Sequence, residues 1–452
     1  MLVLPQRLIF EPEHDDAFFG EVPAKPAVFL LRGESGEPYA SKSSNLRRRV
    51  QRLLGESEGI SRRLNLRERA KVLEYALTGS DFESGLLLYK VLRKEFPKTY
   101  GDRLRLRMAP MVRFHLENRY PRVSVTTKLG SAKSGSVYYG PFPSRVAAEK
   151  FANDALDFFK IRRCTDDLAP DPAFPGCIYS EMKMCLAPCF RGCTDQAYRD
   201  EVARVEAFFD SRGESLRREL SEERDRTSAD LEFETAAAAH AQLEKLAPVL
   251  QPLPEIVTRV DRLRAVIVQP SALAEHVALF VVEGGIIAGP VQFPLQLKSA
   301  EQTHRPQSME SRVQQALADL LPHATRVGES GPSAEVVRIT TAIAGEPCSP
   351  DSSERGTGKT ELPPVIGETR AASSHDIMEQ LAYLRRWYYR SSKTGEIFFA
   401  DAQGDLPWRR IVRGISRVFR GEKPAGDVDE TTRDYWINRG RAAELNPDNY
   451  NV

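Results

Sequence analysis

CTDDLAPDPAFPGCIYSEMKMCLAPCFRGC, residues 164–193, holds five of the chain's six cysteines. Twelve, seven, three and three residues separate Cys164, Cys177, Cys185, Cys189 and Cys193. All seven histidines lie outside the segment, so a metal-ligand set drawn from it is all thiolate. Soft thiolates select zinc or an iron–sulfur cluster, and four at tetrahedral corners satisfy either. Free cysteines acting as small buried hydrophobes are the plainer reading, but a stretch rich in Pro, Asp and Gly has little core to offer them. Structural zinc sites usually show two short Cys-x-x-Cys knuckles. None is present, which favours an iron–sulfur cluster with zinc as the alternative.

At 452 residues the chain is long enough for several cores, and 41% hydrophobic with 28% charged residues is an ordinary globular balance. The net charge of +1 hides a local excess: Val91 to Arg122 carries nine Lys or Arg against three Asp or Glu. No run of about eighteen apolar residues exists, and the start MLVLPQRLIFEPEHDD turns acidic too soon for a signal peptide. The expectation is a cytoplasmic protein with no membrane partner, where clustered thiols bind metal more often than they pair.

YYGPFPS (Tyr138 to Ser144), the amphipathic RVAAEKFANDALDFFKI, then RRC and GCIYSEMKMCLAPC follow one another in an order that resembles the UvrC/Cho family, the nuclease subunits of bacterial nucleotide excision repair. The resemblance runs from about Val22 to Leu250. It implies a 4Fe-4S cluster on Cys164, Cys177, Cys185 and Cys189, and gives Cys193 no counterpart. From Thr194 to Leu250 apolar residues recur at three- and four-residue steps, as in a pair of amphipathic helices. Within it LEFETAAAAHAQLEKL (Leu231 to Leu246) resembles the UVR motif, which implies docking on a UvrB-like helicase subunit with Phe233 as an anchor. His240-Ala241 stands where that motif usually has Arg-Asp.

Upstream, PAVFLLRGESGEPYASKSSNLRRRV (Pro26 to Val50) resembles the strands and helix of a GIY-YIG nuclease. Tyr39, Lys42 and Arg49 occupy retained catalytic positions, whereas Phe29 replaces the first Tyr of the signature. Tyr89 stands at the place of the metal-binding Glu and Gly101 at that of the partner Asn. Phosphodiester hydrolysis needs a divalent cation on the phosphoryl oxygen, and a neutral phenol is a poor ligand for magnesium or manganese. Glu83 lies six residues before Tyr89, about 9 Å along a helix, too far to substitute. The reading is a degenerate nuclease fold that no longer cuts, with Arg47, Arg49, Lys94, Arg103 and Arg105 left to bind a DNA backbone.

Val257 to Leu297 holds three β-rich runs separated by polar or Gly-Gly breaks, an antiparallel meander in a mixed α/β region. AGEPCSPDSSERGTGKTELPP reads as a linker carrying an incidental Cys348. Its GTGKT lacks the earlier glycine and the strand of a phosphate loop. Trp387, Tyr388, Tyr389 and Arg390 end a helical run and read as the core of a helical subdomain, followed by a polar tail from Gly426.

The fold class is therefore α/β multidomain. Residues 1–21 form an N-terminal extension, 22–107 the GIY-YIG-like domain, 108–195 the Cys-rich cluster module and 196–250 the UVR-like hairpin. Residues 251–345 form a small mixed α/β domain, 346–372 the linker, and 373–452 a C-terminal helical subdomain and tail. The functional expectation is a DNA-binding repair protein with an impaired endonuclease site. The alternative is a metal-cluster regulatory or RNA-binding protein reusing this architecture.

Overall fold

AVFLLR is apolar at successive positions, the pattern of a strand covered on both faces. In the computed structural model, which describes residues 4–56, 64–130, 135–165, 168–296, 308–321 and 372–422, it is an inner strand of the first sheet. The N-terminal unit runs β1 (Gln6–Ile9), α1 (Asp15–Glu21), β2 (Ala27–Arg32), β3 (Tyr39–Ser43), α2 (Leu46–Leu54), β4 (Val72–Leu77), α3 (Asp81–Glu95) and α4 (Tyr100–Leu104). Its antiparallel sheet has the order β1-β4-β2-β3. By strand alternation Phe29 and Leu31 pack with Phe18, Leu46 and Val50 on one face, while Val28 and Leu30 meet Val91 of α3 on the other. Asn45 and Ser80 cap α2 and α3 through their side chains. The segment read as an extension supplies edge strand β1, because its backbone completes β4.

The second unit contains β5 (Met111–Phe114), β6 (Val123–Thr126), β7 (Val137–Gly140), α5 (Arg145–Leu156), α6 (Ile178–Glu181), α7 (Asp195–Asp210), α8 (Glu214–Ala229), α9 (Phe233–Leu250) and β8 (Thr258–Arg259), with sheet order β6-β5-β7-β8. Helix α5 turns its alanines and Phe151 to the core, and α7 adds Tyr198, Val205, Phe208 and Phe209. The stretch read as two helices is three. The Ser211 to Gly213 turn breaks it, so that α7 belongs to the middle core and the hairpin proper is α8 and α9.

The third unit comprises β9 (Arg264–Pro270), β10 (His276–Glu283), β11 (Ile286–Pro294), α10 (Met309–Leu317), α11 (Ser374–Tyr388), β12 (Glu396–Phe399) and α12 (Trp408–Arg420). The meander is present as β9, β10 and β11. Its second turn is Gly284-Gly285 with φ of 55° and 83°, the pair of left-handed residues that a two-residue hairpin with matching twist requires. β12 pairs with β9, giving the order β11-β10-β9-β12. The segment 373–452 is thus no separate helical subdomain in its described part, because its strand completes the sheet begun at residue 264. Helices α10 and α12 cover one face with Val313, Leu317, Ile411 and Ile415. Arg417 closes this layer with a bidentate pair to Glu396, at 2.8 and 2.6 Å.

The other face meets α11, which ties the three units together. Phe82 of α3 packs edge-on against Phe280 of β10 at 5.0 Å and tilts against Trp387 at 4.9 Å. Arg385 and Tyr389 donate to the carbonyls of Pro143 and Pro141 at 2.9 and 3.0 Å. Trp387 and Tyr388 are core residues, as read. Cys348, GTGKT and the tail from Gly426 lie outside the described residues. No helix among the described residues is long and apolar enough to cross a membrane.

Candidate functional site

Tyr39 opens β3, and Lys42 follows three positions later, so alternation puts the two on opposite faces. Tyr39 faces α2, where Arg49 donates to its hydroxyl at 2.8 Å and the Phe29 ring lies 6.1 Å away. Lys42 faces α3 and pairs with Asp81, the first residue of that helix. Arg390, just beyond α11, pairs with the other oxygen of the same carboxylate. Burial raises the Asp81 carboxyl, but hydrogen bonds from Lys42 and Arg390 outweigh it and hold the group below its ordinary range. Lys42 is therefore committed to an internal carboxylate.

Tyr89 joins neither pair. It lies on the face of α3 that α11 covers, 5% exposed, and donates to Glu379 Oε2 at 2.9 Å. Arg93, one turn on, donates to the Tyr89 hydroxyl at 2.9 Å and pairs with Asp376 of α11 at 2.5 Å. Burial and then the Glu379 bond push the phenol far above its ordinary value, so it stays neutral. A carboxylate is present at this place after all, but it comes from α11, 290 positions downstream, and is spent on the tyrosine. Glu83 is buried in the first turn of α3, where it accepts from the Gly79 amide at 2.7 Å. Burial raises its carboxyl. Gly101 is exposed, with open space where a side chain would stand.

The five basic residues read as a backbone-binding face divide. Arg47 donates to the carbonyls of Val22 and Gly20 at 2.6 and 3.1 Å and so fastens α2 to the end of α1. Arg103 pairs with Glu37 at 2.7 Å and lies 3.9 Å over the Phe96 ring. Arg49 holds Tyr39. Lys94 and Arg105 are exposed with side chains that no hydrogen bond or ion pair engages among the described residues. Phe233 begins α9 and is 66% exposed, beside Leu231 at 70%. The hairpin tip therefore presents an apolar pair to solvent.

Cys164, Cys177, Cys185, Cys189 and Cys193 are all half-buried and reduced. Arg162 donates to Cys164 Sγ at 3.9 Å and the Ala187 amide to Cys185 Sγ at 3.3 Å, while Cys177 caps α6. Burial raises the Cys185 thiol to about 11, and repulsion from Cys164, Cys177 and Cys189 adds to it. Those four thus share one neighbourhood. Lys183, Ala187 and Arg191 take left-handed φ of 56°, 55° and 59°, so the chain reverses either side of Cys185 and Cys189 without a glycine. Four soft donors at the edge of the core, with amides aimed at sulfur, fit a thiolate-ligated metal by donor type. Among the described residues no three His, Cys, Asp or Glu side chains stand in a metal-holding arrangement.

Sequence reasoning missed Glu379 and Asp376, and read Arg390 into a helical core where the structure pairs it with Asp81. The available signal was an acid at position 379, three and four residues before Ala382 and Tyr383 and so on their helical face, where a charge needs a buried partner.

The family model described as UvrC/Cho excinuclease, middle domain, matches residues 109–208, which span β5 to the end of α7. Three relatives carry the name UvrABC system protein C. That of Alcanivorax borkumensis is 30% identical over 244 residues, covering 54% of this chain and 39% of the relative. That of Bdellovibrio bacteriovorus is 31% identical over 237 residues, 51% of this chain and 36% of the relative. That of Methanothermobacter thermautotrophicus is 29% identical over 233 residues, 51% and 38%. The chain thus spans less than two-fifths of the length of each. No solved structure matches it.

Proposed function

We infer the function from the premise that the chain belongs to the UvrC/Cho family, and propose that it is a UvrC-like DNA-repair protein whose nuclease-type domain binds DNA without cutting it. The observation that carries the second half is Tyr89. Its hydroxyl, locked between Glu379 and Arg93, stands where the family has a metal-binding carboxylate, and Lys42 is paired with Asp81, which it shares with Arg390. Among the described residues the carboxylates beside Tyr89 and Lys42 are already engaged by protein partners, so magnesium has nothing hard to bind and the Lewis acid that polarises the phosphoryl oxygen is lost.

In this reading Cys164, Cys177, Cys185 and Cys189 hold the iron–sulfur cluster, with zinc as the alternative metal. Such a group would brace the turns that carry left-handed Lys183, Ala187 and Arg191. Exposed Leu231 and Phe233 at the α8–α9 tip suit docking on a UvrB-like helicase subunit, where a few apolar anchors dominate helix recognition.

The test is an incision assay on a damaged duplex with magnesium or manganese. The expected result is no cleavage by the chain alone, together with binding that weakens steeply with salt. Reversing the charges of Lys94 and Arg105 should lower duplex affinity by about tenfold or more, whereas reversing Arg47 should disturb folding. Strong metal-dependent cleavage, abolished by Arg49→Ala, would overturn the cleavage-deficient reading. Preference for structured RNA over damaged duplex would favour the regulatory alternative.

A further inference from the structure

A cleft of about 510 Å³ opens between the segment that follows α4, the loop at Pro143 and the last turns of α11. Arg105, Arg107, Arg385 and Arg386 line it, and among the described residues no acidic one does. Leu104 and Leu106 supply an apolar wall. Arg385 is the fixed member: its Nη1 donates to the Pro143 carbonyl at 2.9 Å, while its Nε is buried with no hydrogen-bond partner. Burial lowers its pKa, with Tyr389 opposing the shift and the neighbouring Arg107 charge adding to it. No hydrogen bond or ion pair engages the guanidinium of Arg105, Arg107 or Arg386 among the described residues.

Like charges in a shared cleft repel, and a buried N–H without an acceptor loses its bond to water. A multiply charged anion in the cleft offsets the repulsion. Guanidinium forks match the tetrahedral oxygens of phosphate, which carries nearly two charges at neutral pH, whereas a carboxylate brings one. The volume lies within the range of small-ligand sites, and the leucine wall leaves room for more than a bare ion.

We propose that this cleft binds a phosphate monoester, the phosphate on the four arginines and the organic part against Leu104 and Leu106. Arg385 and Arg386 lie outside the region that resembles the family, and Arg105 is the one residue the site shares with the proposed duplex face. A free nucleotide and the phosphorylated end of a nucleic-acid strand present the same chemistry to it.

The test is fluorescence anisotropy on the full chain in phosphate- and sulfate-free buffer. The probe is a 3′-labelled thymidine dinucleotide with or without a 5′-phosphate. The phosphorylated probe is expected to bind about tenfold tighter, the scale of charge-assisted hydrogen bonds. Arg107→Ala with Arg386→Ala alters two exposed side chains and should remove that preference while circular dichroism stays unchanged. Equal affinity for the two probes, or a preference that survives in the double variant, would overturn the site. Displacement of the probe by thymidine monophosphate supports a free-nucleotide source. Displacement only by a phosphorylated oligonucleotide supports a strand end. Duplex binding is measured with 5′-hydroxyl ends, so that the two readings fail separately.

Discussion

Tyr89→Glu is expected to lower stability by about 3 kcal/mol at pH 8 and to restore no cleavage. The substitution returns the residue that the family resemblance calls for, yet it would place a carboxylate against Glu379, whose oxygen stands 2.9 Å from the present hydroxyl. Arg93 is the cation at hand and already holds Asp376. Repulsion and burial would raise the carboxyl pKa in the folded state above its unfolded value. A raised carboxyl pKa means that the folded state binds more protons. The penalty is therefore small in mild acid and grows as pH rises through the folded pKa. Urea melts at pH 5 and pH 8 should show the gap from the unaltered protein widening at the higher pH. Adding Glu379→Gln removes the opposing charge and should recover most of the loss. Identical melts at pH 8, or magnesium-dependent nicking by the single variant, would sink this account.

On the proposed thiolate ligation, Cys185→Ser is expected to abolish metal binding and to destabilise the middle unit by at least about 3 kcal/mol, since metal-binding energy at a thiolate site is folding energy. The same holds for Cys164, Cys177 and Cys189. Cys193→Ser should retain the metal, because that residue packs at the rim of the middle core and none of the three reversed turns depends on it. Anaerobic purification followed by metal and sulfide analysis decides the matter. The unaltered protein should be brown with about four irons and four sulfides per chain. Stoichiometric zinc would replace iron in the proposal. Equal metal loss from Cys193→Ser and Cys185→Ser would remove the ligand assignment.

Local features were legible in the sequence and distant ones were not. Gly284-Gly285 marked the β10–β11 hairpin because a two-residue turn demands φ that only glycine adopts freely. Trp387 and Tyr388 read correctly as core residues. β12 escaped because EIFF is four residues long, too short for a periodicity to show, and its partner β9 begins at residue 264. Position 89 read as a bare loss because its meaning depends on Glu379, and no local pattern couples residues on two separate helices. Arg47 and Arg103 looked like a phosphate-binding face because sequence reveals a charge and not the carbonyls or Glu37 that occupy it. The cysteine segment showed its donor set by spacing, while the left-handed turns at Lys183, Ala187 and Arg191 carry no glycine that would announce them.

Because α11 covers Phe82, Leu86 and Tyr89, the order of synthesis matters to this chain. Those side chains leave the ribosome early, and the helix that shields them emerges some 290 residues later. At ordinary translation speeds the interval is roughly 15 to 60 s. During it the N-terminal sheet can close around Phe29 and Leu31, but the outer face of α3 has little beyond the Tyr100 ring of α4 to pack on. An apolar surface held open that long is a target for chaperones and for self-association. Truncation before α11 would make that exposure permanent. The newborn chain therefore stays in a half-sealed state until α11 arrives.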